Sequence, residues 1–167
     1  DLESTLNEEP RFLLDLCFLG ALHTELVEHL GPEDAHATLL QLGFLHGLRD
    51  AALVLRAGFG QRSLDLPPGS PATPRLAIRF APPPAGAVDG VEFRGSWPER
   101  HEADACLAAV GYGTSPACFV SSGYTSGWLS GIFDSDVLAL EVKCCASGDA
   151  SCQFIAREVA ARIRKSR

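Results

Sequence analysis

The chain has 167 residues, 46% of them hydrophobic and 21% charged, which is enough to bury one core and too few for two domains of ordinary size. Its 14 Lys and Arg against 21 Asp and Glu give a formal charge of −7, which argues against direct nucleic-acid binding because phosphate contacts need a basic surface. Charges interrupt each apolar run before the roughly 20 residues that a membrane span needs, and no signal sequence is recognisable. We therefore expect a cytoplasmic protein that has no membrane partner.

The N-terminal part of the chain, residues 1–57, predicts two long helices. Apolar residues recur at helical spacing on more than one face over 10–31, and the helical spacing continues over 32–55. Gly43 and Gly47 stand four residues apart in the second helix, which indicates that a neighbouring element packs closely there. One small domain cannot cover every face of the first helix, so we expect this segment to form a homodimer.

A change of composition follows the helices. Residues 58–74 are rich in Gly, Pro and Ser without any period, and they are expected to be a connector. Alternating apolar residues then predict strands over 75–80 and 91–97, joined by a Pro-rich turn. These two strands are expected to pair antiparallel.

Two shorter helices are predicted next, over 99–110 and from Ser115 to Phe133. In the second of them, glycine recurs every four residues, at 123, 127 and 131. Such a stripe leaves a smooth groove, into which another helix presses or along which a small molecule approaches the backbone. Close packing between helices is the simpler explanation.

The last third of the chain predicts a hairpin, with strands over 137–144 and 152–157. The basic segment 158–167 is expected to be a helix that leads into a linker. The predicted class is therefore α+β, with the N-terminal long helices packed on a small antiparallel sheet. The segment 75–157 is expected to be the ligand-binding α+β domain.

Four of the possible metal ligands lie in or near this hairpin. Cys144 and Cys152 flank its seven-residue turn, Glu141 lies three residues upstream of the turn, and Cys118 is near the start of the preceding helix. Six cysteines would allow three disulfides in a secreted protein, but the expected compartment is reducing, where clustered thiols more often bind metal. Three thiolates and one carboxylate would complete a tetrahedral structural zinc site, and buried reduced cysteines are the alternative.

A family resemblance bears on this choice. The run CFVSSGYTSGWLSGIFDSDVLALEVKCCASGDASCQF resembles the 4-vinyl-reductase-type, or hydrocarbon-binding, domain in the sensory modules of aromatic-responsive, sigma-54-dependent NtrC-type transcription activators. The resemblance covers residues 111–157, and the N-terminal helices resemble more loosely the segment that precedes this domain in the same regulators. It implies a sensory domain with a structural zinc. We expect no enzymatic activity, because the sequence has no Gly-rich phosphate loop, GxSxG, HExxH or Rossmann fingerprint.

The resemblance also implies which residues bind the zinc. The family's ligands follow the order Cys, Glu, Cys, Cys, which here corresponds to Cys118, Glu141, Cys144 and Cys152, separated by 22, two and seven residues. On a regular strand Glu141 would share a face with Cys145 instead of Cys144, because side chains alternate. A bulge at the strand end would restore Cys144, and Cys145 is the substitute ligand if no bulge forms.

The family binds a small hydrophobic or phenolic effector between the helices and the sheet, beside a Trp at a strand end that corresponds to Trp97. An indole suits an aromatic ligand with one polar group, although Trp97 as an ordinary core residue is nearly as good an explanation. Further wall residues are expected from Tyr124, Trp128, Phe133 and His46.

The chain also departs from the family's phenol-binding members. These members place one His before the first strand and a second in the helix after the Trp, whereas residues 70–76 contain no His and Cys106 stands near the second position. The expected function is an input domain that binds a small hydrophobic or aromatic effector. The alternative is an assembly module related to vesicle-tethering subunits, in which the cavity holds an acyl chain or serves assembly alone.

Overall fold

The computed structural model describes residues 16–58, 76–81 and 92–159. Within these ranges the chain forms an α+β fold, as the sequence predicted, with four α-helices and one four-stranded antiparallel sheet. The elements in chain order are α1 (Leu16–Leu30), α2 (Pro32–Arg56), β1 (Arg79–Phe80), β2 (Glu92–Trp97), α3 (His101–Val110), α4 (Phe119–Phe133), β3 (Val137–Lys143) and β4 (Cys152–Glu158). A short 3-10 turn over Cys145–Ser147 follows β3.

Several element boundaries differ from those expected. Helix α4 begins at Phe119 instead of Ser115, because side chains from elsewhere in the fold, and not Ser115, satisfy its first N–H groups. Glu158 is the last residue of β4, so the predicted C-terminal helix does not start there, and residues 160–167 lie outside the described ranges. The predicted connector also lies outside them, apart from Gly58.

The sheet has the strand order β1-β2-β4-β3, with every neighbouring pair antiparallel. Both strand pairings predicted from the sequence are thereby confirmed. The chain also places β2 beside β4, so that Trp97 lies opposite Cys152 at the end of the sheet. This pairing brings the strand-end tryptophan to the mouth of the C-terminal hairpin.

Helix α4 lies between α2 and the sheet and is buried on all sides. A Cβ added at Gly47 would overlap the carbonyl oxygen of Tyr124, and one added at Gly127 would overlap that of Phe44. The close packing predicted from the glycine spacing is confirmed, since the two helices meet backbone to backbone. A Cβ added at Gly43 would likewise overlap the carbonyl oxygen of Val120, and one added at Gly123 would overlap that of Leu40.

The N-terminal helices are one layer further from the sheet than the sequence suggested. Helix α2 packs on α4, and α1 packs on α3 and α2. Much of α1 therefore remains exposed in a single chain, including Leu22 (37% exposed) and Leu30 (47% exposed). None of the described helices combines the length and the hydropathy required to cross a bilayer.

Two buried serines join α4 to the outer strand of the sheet. The Ser126 hydroxyl accepts a hydrogen bond from the backbone N–H of Ala139 at 2.8 Å, and the Ser130 hydroxyl accepts one from Val137 at 2.9 Å. These backbone groups belong to an edge strand and would otherwise lack a partner in the sheet. The hydrogen bonds to β3 thus explain why serines occur at buried positions of α4.

Candidate functional site

The structure brings the four expected metal ligands together at the end of the sheet. One ligand atom from each of Cys118, Glu141, Cys144 and Cys152 lies within 4.8 Å of all the others. The three cysteines are buried and all of them are free thiols. The spacing of this group suits a single metal ion.

A β-bulge selects Cys144 instead of Cys145. Glu141 pairs with Phe154 and Lys143 pairs with Gln153, the adjacent residue of β4, so that Val142 is an extra residue on β3. The inserted residue reverses the alternation, and Cys144 therefore faces the same side as Glu141. This is the bulge that the spacing of the ligands required.

Cys145 has different contacts from its neighbour. Its backbone N–H donates to Cys152 Sγ at 3.4 Å, whereas its own Sγ lies 3.7 Å from the Arg100 guanidinium. It therefore contributes a main-chain donor to one of the grouped sulfurs, while its side chain lies beside a cation. Asp149 closes the turn by accepting a hydrogen bond from Cys144 N–H at 2.9 Å.

Glu141 has two differently placed oxygen atoms. Its Oε2 accepts hydrogen bonds from the backbone N–H groups of Ala117 and Cys118, at 3.1 and 3.0 Å. Its Oε1 is buried and has no hydrogen-bond partner among the described residues. A buried acceptor without a partner is costly, and a bound cation would remove that cost.

The protonation of the thiols supports the same conclusion. Burial, and then the Glu141 charge, raises the pKa of Cys144 to about 12. The hydrogen bond to Cys152 raises the pKa of Cys118, and the same bond lowers the pKa of Cys152 to about 7. Four acidic groups this close cannot all ionise unless a cation is present. A divalent metal that favours thiolates, such as zinc, fits this donor set, and with all four groups bound it would have no open position.

A second carboxylate, Glu102, caps the helix that carries this site. Its Oε1 accepts a hydrogen bond from Val120 N–H at 2.7 Å, and its Oε2 accepts one from Ser121 N–H at 2.7 Å. Burial raises the pKa of Glu102, and the hydrogen bonds oppose this. A carboxylate on a helix is ordinarily exposed to solvent, but Glu102 binds the positive end of α4 instead.

A cluster of aromatic rings, called here the ring cluster, lies between α4 and the sheet. Trp97 stacks on Phe154 with 5.0 Å between ring centroids, and Phe93 lies 4.9 Å from Phe133. Trp128 and Phe80 lie 6.3 Å apart. The ring cluster therefore consists of Phe80, Phe93, Trp97, Trp128, Phe133 and Phe154, and it contains three of the five wall residues predicted from the sequence.

The other two predicted wall residues, Tyr124 and His46, lie apart from the ring cluster. The Tyr124 hydroxyl donates to Asp50 Oδ2 of α2 at 2.7 Å. His46 packs edge-on against Tyr124, with 5.5 Å between ring centroids, and its side chain is 47% exposed. The buried Asp50 has no signal in the sequence, because a single acidic residue in a helix is ordinarily exposed.

The two tryptophans of the ring cluster differ in their hydrogen bonding. Trp97 Nε1 donates to Thr125 Oγ1 at 3.0 Å, whereas Trp128 Nε1 is buried without a hydrogen-bond partner among the described residues. Nothing in the sequence indicated a role for Thr125, because no pattern in it relates Thr125 to a tryptophan 28 residues earlier.

Two family models match separate parts of the chain. A family described as an activator of aromatic catabolism matches residues 3–67, and the 4-vinyl-reductase-type domain matches residues 97–158. The second match contains all four residues of the candidate metal centre.

Two curated regulators are similar to the chain over most of its length. The transcriptional regulatory protein XylR of Pseudomonas putida is 25% identical over an alignment of 157 positions, and this match covers 91% of this chain and 28% of XylR. The phenol regulator MopR of Acinetobacter guillouiae is 26% identical over an alignment of 167 positions, and this match covers 90% of this chain and 28% of MopR. The chain thus spans little more than a quarter of the length of either regulator.

A solved structure agrees with these similarities. The crystal structure of the phenol-responsive sensory domain of the transcription activator PoxR with phenol superposes with a TM-score of 0.72 and 27% identity. The match covers 87% of this chain and 75% of the PoxR domain. The chain therefore carries a 4-vinyl-reductase-type domain at residues 97–158 and is similar, over most of its length, to the sensory modules of aromatic-responsive transcription activators.

Proposed function

We propose that this chain is the effector-binding input domain of a larger regulatory protein, and that it binds a small hydrophobic or aromatic molecule at the ring cluster. The observation that carries the proposal is that six aromatic side chains gather between α4 and the sheet, in a fold similar to that of a phenol-responsive sensory domain. Aromatic groups of this kind bind apolar rings through stacking and edge contacts.

We propose in addition that Cys118, Glu141, Cys144 and Cys152 hold a structural zinc ion. The unpartnered oxygen of Glu141 and the crowding of four acidic groups support this assignment. When bound, the zinc would cross-link the start of α4 to the hairpin and fix the end of the sheet. Its role is then to maintain the shape of the effector site and not to activate water.

Effector binding would act by shifting populations. A ligand at the ring cluster favours whichever arrangement of α4 and the sheet it contacts better. Residues 159–167 follow β4 in the sequence, so that a change at the sheet would pass into them and onward to an output domain. The size of the response is limited by the difference in affinity between the two arrangements.

The proposal is tested by metal analysis and by titration of the purified chain. We expect one zinc per chain and saturable binding of ethylbenzene and acetophenone, measured by calorimetry. Phe133→Leu, within the ring cluster, should weaken both affinities by about twofold to tenfold, since one aromatic contact is worth about 0.5–1.5 kcal/mol. Tyr112→Leu is the matched control, because Tyr112 is 78% exposed and lies outside the ring cluster.

Contrary results would separate the two parts of the proposal. A chain that purifies without metal and does not take up zinc would refute the structural zinc. Failure of both aromatic probes to bind would refute the sensory site. Binding of hexadecanoate in their place would instead favour the assembly module that holds an acyl chain.

We propose that the regulatory unit is a homodimer formed through α1 and α2. Both helices expose large apolar side chains in the single chain, among them Leu22, Leu30, Leu42 and Leu45. Exposed apolar surface on neighbouring helices is typical of an interface between subunits.

The mass in solution tests the dimer. Light scattering should give twice the 17.8 kDa of one chain, and Leu22→Glu should shift the mass towards that of a single chain. Leu140→Glu is a control on the outer face of the sheet, where the side chain is 56% exposed, and it should leave the dimer intact. A wild-type monomer at every concentration would exclude this proposal.

A further inference from the structure

The chain contains two tryptophans, and the indole N–H of one of them donates a hydrogen bond within the protein. Trp97 Nε1–H donates to Thr125 Oγ1 at 3.0 Å, and that hydroxyl donates in turn to the backbone carbonyl of Ser121 at 2.8 Å. A ligand could use the Trp97 donor only by breaking this buried chain of hydrogen bonds. Trp97 is therefore placed to supply an apolar ring face and not a free N–H group.

The N–H group of the second tryptophan, Trp128, has no such partner among the described residues. The residue is 1% exposed, so this donor is buried. A buried donor left without an acceptor costs about 1–3 kcal/mol, and buried indoles usually find a partner. The ring of Phe80, 6.3 Å away between centroids, offers an apolar face in place of an oxygen atom.

We propose that Trp128 Nε1–H is the donor that recognises the oxygen of the effector. This inference rests on the proposed function, because it assumes that the ring cluster is the effector site. It narrows the ligand class to aromatic molecules that carry a hydrogen-bond acceptor, such as a carbonyl, ether or hydroxyl oxygen.

The composition of the ring cluster favours a ligand whose oxygen carries no charge. All six of its members are uncharged, so a carboxylate in their midst would be desolvated without a compensating cation. A neutral acceptor satisfies the indole without that cost. A pure hydrocarbon fits the rings but leaves the donor unpaired.

Nuclear magnetic resonance of the whole chain tests the inference directly. With ¹⁵N-labelled tryptophan, two indole N–H signals are expected, and the spectrum of Trp97→Phe assigns them. Acetophenone should move the Trp128 signal downfield, as expected when an N–H gains an acceptor, and should leave the Trp97 signal nearly unchanged. Ethylbenzene, which has a similar shape but no oxygen, should bind without the downfield movement.

Affinities give a second, independent readout. Trp128→Phe keeps an aromatic ring and removes the N–H group, so its affinity for acetophenone should fall about tenfold relative to that for ethylbenzene, equivalent to about 1.4 kcal/mol. Trp97→Phe should change the two affinities by the same factor. The ratio of the affinities therefore isolates the hydrogen bond from any general loss of packing.

The outcomes distinguish this inference from the proposed function. If neither probe binds to the wild-type chain, the effector site itself is wrong and the inference falls with it. If both probes bind and the Trp128 signal responds equally to each, or if the Trp97 signal alone responds to acetophenone, the effector site stands and the role of Trp128 is refuted.

Discussion

Replacing Gly47 by Ala adds one methyl group where α2 and α4 meet backbone to backbone. The added Cβ would overlap the Tyr124 carbonyl oxygen and lie 2.8 Å from the backbone nitrogen of Trp128, whereas ordinary contacts begin at 3.4 Å. Overpacking costs about 1–3 kcal/mol, and the better helix propensity of Ala returns about 1 kcal/mol. Helix backbone cannot rotate aside as a side chain can, so the upper end of the cost applies. We expect a net loss of about 2 kcal/mol.

Urea unfolding followed by tryptophan fluorescence measures this loss. The midpoint should fall while the slope stays unchanged, since the surface exposed on unfolding is the same. Gly20→Ala is the matched control, because its Cβ would lie 3.1 Å from the Ala105 carbonyl oxygen and 3.3 Å from Ala109 Cβ, where a small shift suffices. Equal stability of the two variants would refute the argument from backbone contact.

Three further predictions concern the metal centre and the response to acid. Cys144→Ser should lose most of the bound zinc and Cys145→Ser should keep one per chain, whereas equal loss from both would contradict the ligand assignment. Burial, and then a neighbouring histidine of α1, lowers the pKa of His36, so stability should fall as the pH drops through the ordinary value of 6.5. Thermal unfolding should therefore depend less on pH in His36→Gln than in the wild-type chain, and an equal pH dependence of the two would contradict the argument. Hydrogen bonds from two arginines lower the pKa of Glu92, so its small contribution to the stability of the fold should be lost as the pH falls below 4.5. If Glu92→Gln loses stability in acid as steeply as the wild-type chain does, this argument is wrong.

The elements with a strong local signal were predictable from the sequence. Helix α2 and the C-terminal hairpin follow from periodicity and turn residues, and the glycine stripe of α4 predicted the close helix contact. The grouping of Cys144 with Glu141 required the family resemblance as well, since strand alternation alone favours Cys145. The conflict between the two arguments predicted a bulge at the end of the strand, and the structure places it at Val142.

The contacts between distant segments were not predictable in the same way. Glu102 caps a helix that begins 17 residues later, and its own helix gives no sign of that partner. The layer order, in which α4 separates α2 from the sheet, likewise depends on which apolar faces meet in three dimensions. Periodicity reports that a face is buried and not what covers it.

The sequence placed both tryptophans in the wall of the effector site, with Trp97 at the family's strand-end position, and only the fold distinguishes their hydrogen bonding. Thr125 lies one helical turn before the level of Trp128 and is turned towards β2, where it takes up the Trp97 N–H group. The corresponding acceptor for Trp128 is missing from the described residues. Specificity for an oxygen-bearing ligand would thus depend on which indole lacks an internal partner, a property that composition and spacing do not encode.

The candidate metal centre and the ring cluster share strand β4, so a metal ion bound at the first would also position the second. On β4, Cys152 and Phe154 face the same side, and Trp97 lies opposite Cys152 while it stacks on Phe154. A metal ion that fixes Cys152 against the start of α4 therefore also fixes the position of two rings relative to that helix. Without the metal ion, packing alone would position these rings. The four acidic side chains at the hairpin end would then repel one another whenever they ionise. The metal centre would thus contribute to effector affinity through preorganisation, without touching the effector.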